Sequence, residues 1–137
     1  MIRAVIDTNL LVSGMLWFGP PNKIYQLAGQ GKFTIVTSET LVNELNDTLE
    51  KPKLARVIAS LNKSIDELIA DYRILVEIIE PAQITSVSRD KDDDAVLACG
   101  IAGKVDAIVT GDKDLLVLDI YEGIPILDAN RFLSIMP

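Results

Sequence analysis

Short apolar segments that end on an acid or a hydroxyl, each followed by a stretch with helical periodicity, constrain this chain more than any other feature. Ala4-Val-Ile-Asp7, Phe33-Thr-Ile-Val-Thr37-Ser38 and Ala107-Ile-Val-Thr110-Gly-Asp112 read as buried strands bounded by turn residues. Strands alternating with helices call for a parallel sheet covered on both faces and joined by right-handed crossovers, an α/β fold. Ligands in such sheets bind beyond the carboxyl ends of the strands. Asp7, Ser38 and Asp112 fall there.

The segments between these strands carry their own start and stop signals. Gly19-Pro20-Pro21 precedes a helix over 22–30, and Ser38 caps a helix from Glu39 to about Leu49, where Leu41, Leu45 and Leu49 recur every four residues. Pro52 opens a helical stretch through Ile58, and Ser64-Ile-Asp-Glu67 has the capping-box pattern ahead of Leu68, Ile69, Tyr72 and Leu75, so a helical hairpin stands between sheet units. Pro81 to Arg89 reads as a polar connector, Lys91 to Gly103 as a helix and Asp128 to Ile135 as a closing helix. Ile124-Pro125-Ile126-Leu127 is expected at a sheet edge, because Pro125 cannot donate to a ladder. The length of 137 residues fits one domain spanning 1–137.

Composition narrows the chemistry. With no histidine and the single cysteine Cys99, the commonest general base, the commonest transition-metal ligand and any Cys-rich metal site drop out together. A net charge of −7 argues against a protein that coats nucleic acid by bulk charge. It does not argue against a nuclease, since cations held by a cluster of carboxylates turn the site attractive to phosphate. Apolar runs are short, and the N-terminal residues lead directly into a strand, so a cytoplasmic protein without membrane association is expected.

The acids are then the carriers of any reaction. Asp7 ends a buried strand, where it suits either a metal ligand or a local turn that accepts amide hydrogen bonds from Asn9 or Leu10. Arg89-Asp-Lys-Asp-Asp-Asp94 offers four aspartates ahead of a helix. Leu97, Ala98 and Ile101 lie within about 60° of Asp94 on one helical face. Asp94 therefore extends an apolar stripe into the first turn, where the helix dipole favours an anion. Asp90, Asp92 and Asp93 read as solvated acids at the helix start. Asp112 follows a strand at Gly111, as a rim ligand or as the N-cap of a short helix, with Asp114 as its understudy. Glu44 lies about 115° from the centre of its helix's leucine stripe, which by itself predicts an exposed side chain. Acids gathered at one end of a sheet would repel one another without cations, and oxygen-only ligands suit Mg²⁺ or Mn²⁺. Thr8, Asn9, Ser38 and Thr110 could orient ligands or water around them, or serve as caps.

These segments together resemble the PIN domains, and within them the short stand-alone prokaryotic branch of toxin components of toxin–antitoxin pairs. The resemblance rests on Ala4-Val-Ile-Asp7-Thr-Asn-Leu-Leu-Val-Ser-Gly14, Ser38-Glu-Thr-Leu-Val-Asn-Glu44-Leu, Lys51-Pro-Lys-Leu-Ala-Arg56, Arg89-Asp-Lys-Asp-Asp-Asp94-Ala-Val-Leu-Ala-Cys99 and Val109-Thr-Gly-Asp112-Lys-Asp114-Leu-Leu116. It implies a Rossmann-like α/β/α sandwich with a central, mainly parallel sheet and a helical hairpin insertion. It also implies Mg²⁺- or Mn²⁺-dependent endoribonuclease activity, a small antitoxin partner and a homodimer. By motif, Asp7, Glu44, Asp94 and Asp112 match the four acidic positions, with Asp114 also matching an acid of the last motif.

Two other readings stand beside it. An aspartate-based phosphatase would use Asp7 as nucleophile, but such sites usually carry a second aspartate two residues on, where this chain has Asn9. A non-catalytic module would bind RNA or protein on the same fold. For an RNA substrate, Arg89, Lys91 and Lys113 adjoin the acidic motifs and are placed to hold a phosphate. Lys51, Lys53 and Arg56 read as solvated helix charge, and Trp17 and Phe18 as partly buried core residues that could otherwise stack on a base or pack at a dimer contact.

Overall fold

The computed structural model describes residues 1–86 and 90–137. Its strands are β1 (Arg3–Ile6), β2 (Thr34–Thr37), β3 (Val76–Ile78), β4 (Ala107–Val109), β5 (Ile120–Tyr121) and β6 (Ile124–Leu127). The helices are α1 (Thr8–Leu16), α2 (Pro20–Gly29), α3 (Glu39–Leu49), α4 (Ala55–Ser60), α5 (Ile65–Leu75), α6 (Lys91–Gly103), α7 (Lys113–Leu116) and α8 (Ala129–Ile135). A 3-10 turn over Pro52–Leu54 leads into α4. The sheet order is β3-β2-β1-β4-β6-β5, parallel throughout except for β5 against β6. The α/β architecture with a mainly parallel sheet agrees with the expectation from sequence.

Alternation along each strand divides the core in two. Ala4, Ile6, Ile35, Ala107 and Val109 face a cluster built with α1, α2, α3, α4, α5 and α8, where the rings of Phe33 and Phe132 meet edge to face at 5.0 Å. Val5, Val36, Ile108 and Ile126 face the other way, onto α6 and α7. Both sides of β1 and β4 are therefore dry, which is why those strands read as unbroken apolar runs.

The caps fall where the sequence placed them. Ser38 Oγ accepts from the amide of Leu41 at the start of α3, and Ser64 and Glu67 form a reciprocal capping box on α5. Two strands escape the sequence pattern. β3 follows α5 with no intervening residue and has three residues, and β5 has two, so neither offers a period to detect. Pro125 consequently sits one place inside the edge: β6 lies between β4 and the two-residue β5, with Pro125 opposite Ile120. So short a partner strand asks little of the missing amide.

The chain order reverses direction across the sheet at β1, whose neighbours are β2 on one side and β4 on the other. This switch point opens a crevice beyond the carboxyl ends of β1 and β4. Asp7 closes the first of these strands, and Thr110, Gly111 and Asp112 follow the second.

Candidate active site

A single threonine couples the two strand ends. Thr110, fully buried after β4, donates its hydroxyl proton to Asp7 Oδ2 at 2.7 Å and accepts the amide of Asp112 at 3.0 Å. Asp7 is itself buried and makes no side-chain cap bond to α1, so the turn role open to it in the sequence is not the one it plays. Asp112 does cap, accepting the amide of Asp114 on Oδ1 at 2.8 Å. Asp114 is exposed on α7.

Carboxylates from α6 complete the cluster, and they are not the ones the apolar stripe selected. Ligand atoms of Asp90, Asp93 and Asp112 lie within 4.8 Å of one another. Asp93 is 3% exposed, which overturns its reading as a solvated acid. Asp94 is only half-buried, and its Oδ2 accepts the hydroxyl of Ser86 at 2.7 Å. The reason lies in the glycines of α6. A Cβ on Gly100 would stand 2.9 Å from Ile108 Cδ1, and one on Gly103 would stand 2.8 Å from Val36 Cγ1, so these residues mark where the helix approaches the sheet most closely. Counting Val96, Leu97, Gly100 and Gly103 as the inner face puts Asp93 within about 30° of its centre and Asp94 about 130° away. A stripe drawn from large apolar residues alone passes over glycine and rotates toward Ile101, which is only half-buried.

Glu44 enters from α3, whose flank packs against both α1 and α6. It is half-buried rather than exposed, and its Oε2 is shut away from solvent with no hydrogen-bond partner among the described residues. Burial, reinforced by the charges of Asp92, Asp7 and Asp90, pushes its carboxyl up to about 7, against a partial pull downward from the Thr8 hydroxyl. Asp7 is raised too, first by burial, then by Asp112 and Asp90, while the Thr110 hydroxyl and the Thr8 amide oppose the rise. Both acids are held in a region that disfavours their charged forms.

The remaining sequence candidates take various places. Thr8 is buried beside Glu44, and Asn9 is exposed on the rim of a cleft of about 320 Å³ lined by Asp7, Ser13, Gly111 and Asp112. Ser38 is buried and committed to capping α3. Lys91 and Lys113 are exposed first residues of α6 and α7. Arg89 lies outside the described residues.

This donor set fits a hard divalent cation. It consists of carboxylate oxygens, it includes at Glu44 a buried acceptor without a partner among the described residues, and burial together with neighbouring acids raises the proton affinity of Asp7 and Glu44. The dipole of the 13-residue α6, whose N-terminus bears Asp90, Asp92, Asp93 and Asp94, offsets only part of that repulsion. Among the described residues, no helix is long and apolar enough to cross a membrane.

The family model for the PIN domain matches residues 3–114, a span that runs from β1 through Asp7, Glu44, Asp93 and Asp112 into α7. No curated protein and no solved structure gives a significant match.

Proposed function

The chain belongs to the PIN domain family, a nuclease-type fold whose members generally depend on divalent metals, and from that premise we propose that it is an endoribonuclease using Mg²⁺ or Mn²⁺. The observation that carries this reading is the convergence of Asp7, Asp90, Asp93 and Asp112 at the switch point, with Thr110 bonded to both strand ends. In this assignment Asp93 takes the place that the motif gave to Asp94. The family assignment favours a nuclease over an aspartate-based phosphatase, and a full set of acids favours catalysis over a purely binding module.

Asp7, Asp93 and Asp112, with Asp90 at the rim, would hold the ions. A bound divalent cation supplies charge stabilisation at the phosphodiester and acidifies the attacking water. Thr110 fixes Asp7, which lines the cleft, by donating to its Oδ2. Asp112 is fixed in turn by its own amide on Thr110 and by its cap on α7. Glu44, whose carboxyl titrates near neutrality in the ion-free protein, is suited to accept a proton at the buried Oε2. No histidine is needed for this division of labour.

The same reading extends to a toxin held in check by a small antitoxin protein, and to a homodimer; both rest on the resemblance of the motifs. Cleavage of labelled RNA by the purified protein with Mn²⁺ tests the activity, with Asp7→Asn as control. Activity indifferent to chelator and to Asp7→Asn would refute it. Growth arrest on expression, relieved by a co-transcribed short partner, tests the toxin role, and unimpaired growth with active protein present would refute that part.

A further inference from the structure

The cleft over Asp7 and Asp112 does not end at Asn9 and Ser13. The same two residues line a second hollow of about 370 Å³, which Trp17, Thr48, Lys51 and Lys53 also line. We propose that this hollow is the track for the single-stranded polynucleotide flanking the scissile phosphodiester, with Trp17 stacking on a base and Lys51 and Lys53 holding backbone phosphates. The proposal rests on the nuclease reading above and deepens it.

The walls are two packed helices. On α1, Asn9 and Ser13 stand one turn apart, with Trp17 one turn further at the helix end; on α3, Glu44 and Thr48 are likewise one turn apart. The groove between them therefore leads from the acids toward the lysines without leaving these two elements. Thr48 is fixed by donating its hydroxyl to the carbonyl of Glu44 at 2.8 Å.

The lysines are free to take a phosphate. Arg3, Lys63 and Arg73 are each held by a carboxylate, at Glu77, Asp71 and Glu39, whereas Lys51 and Lys53 form no ion pair among the described residues. Their backbone is preset. Pro52 confines Lys51 to an extended conformation (φ −60°, ψ 132°), the Lys51 carbonyl accepts the amide of Leu54 at 3.0 Å, and Leu54 is buried. A rigid turn that presents two unpaired cations loses little entropy when it captures an anionic chain.

Trp17 supplies the apolar part. It closes α1 with its amide on the Ser13 carbonyl, and at 48% exposed it is partly buried with much of its surface open to solvent. A large aromatic ring left half in water beside unpaired lysines suits a base whose face is open. That selects a single strand over a duplex, in which the bases are already stacked on one another. The charge order along the groove is also consistent: acids that need cations at one end, cations that need phosphate at the other.

Trp17 is the chain's single tryptophan, so tryptophan fluorescence reports on this one wall residue. The full chain carrying Asp7→Asn, to suppress cleavage, is titrated in Mn²⁺ with a twelve-nucleotide oligouridylate and with the matching oligothymidylate as the RNA and DNA arms. Saturable quenching in either arm is expected. By anisotropy of labelled oligonucleotide, Trp17→Ala weakens binding about tenfold or more while Trp17→Phe restores most of it. Lys51→Ala with Lys53→Ala lowers the slope of log affinity against log salt by about 1.4. Lys32→Ala, an exposed cation in the turn before β2, leaves binding unchanged. Absence of quenching in both arms, or affinity indifferent to both the Trp17→Ala and the paired lysine substitutions, overturns the track. Hydrolysis of bis(p-nitrophenyl) phosphate by the unsubstituted protein reads the acid site separately. Hydrolysis with no effect of these substitutions on binding sinks the track alone, and effects on binding without hydrolysis sink the nuclease reading alone.

Discussion

The two ends of the groove along α1 are built on opposite electrostatic terms. At the Asp7 end, burial and neighbouring acids raise the proton affinity of Asp7 and Glu44, so the ion-free fold carries a cost there. At the Lys51 end, the cations stand exposed on a proline-fixed turn and cost the fold little. Stability and function are thus opposed at one end and nearly independent at the other. Substitutions should separate the two ends cleanly: neutralising an acid removes activity while relieving the fold, and removing a lysine weakens binding while leaving the fold as it was.

The largest effect is expected at Asp7. Asp7→Asn should lower Mn²⁺-dependent RNA cleavage on the order of a hundredfold or more, by analogy with the loss of one preorganised electrostatic group. Melting of the same variant in chelator should show no loss of stability. A drop of several degrees in Tm would mean that Asp7 is a structural anchor through Thr110 rather than a strained ligand.

Next in size is the approach of α6 to the sheet. Gly100→Ala would drive a methyl to 2.9 Å from Ile108 Cδ1. Overpacking of this kind costs about 1 to 3 kcal/mol, against which alanine returns up to about 1 kcal/mol of helix propensity. Urea denaturation should show a net loss, and titration with Mn²⁺ should show weakened affinity, because the displaced helix carries Asp90 and Asp93 away from Asp112. Unchanged Mn²⁺ affinity in a destabilised protein would sever the link between the glycine face and the site.

The pH dependence follows from Glu44. Its carboxyl is raised from 4.5 to about 7 in the folded chain, so folding favours the protonated form. Stability contributed by that preference is present in full below the ordinary carboxyl range, declines as pH rises from there to about 7, and is gone above it. In chelator the protein should be less stable at pH 8 than at pH 5, by roughly 1 to 2 kcal/mol once the shift is discounted for solvent screening of a half-buried group. Glu44→Gln should flatten the profile, and Mn²⁺ should raise Tm more at pH 8 than at pH 5. A profile that rises toward pH 8 in chelator would contradict the sign.

The smallest effects belong to the isolated cations nearest the acids. Lys113→Ala and Lys91→Ala should each reduce the salt slope of single-strand binding by about 0.7 at most. An effect as large as that of the Lys51 and Lys53 pair would move the track away from α1 and toward the α6 and α7 starts.

Much of this architecture was legible in the sequence, and the exceptions share a cause. β1, β2, β4, α3, α5 and α8 announce themselves through apolar period and capping residues, because those signals are local. β3 and β5 owe their existence to pairing with neighbours distant in sequence, and their two or three residues carry no period of their own. Glu44 looks exposed on its helical wheel because the wheel knows only its own leucines. Its burial comes from α1 and α6, which pack on the flank of α3. A related cause separates Asp93 from Asp94: the face of α6 nearest the sheet, on which Asp93 is buried, is marked by Gly100 and Gly103, which a hydrophobic stripe does not count.

Asp93 and Asp94 therefore give the most direct test of the account. Mn²⁺-dependent RNA cleavage is to be measured for Asp93→Asn and Asp94→Asn, each checked for retained fold by circular dichroism. The geometry predicts a loss on the order of a hundredfold for Asp93→Asn and a change of about threefold or less for Asp94→Asn. The reverse pattern, with Asp94 indispensable and Asp93 tolerant, would contradict the site as built from α6.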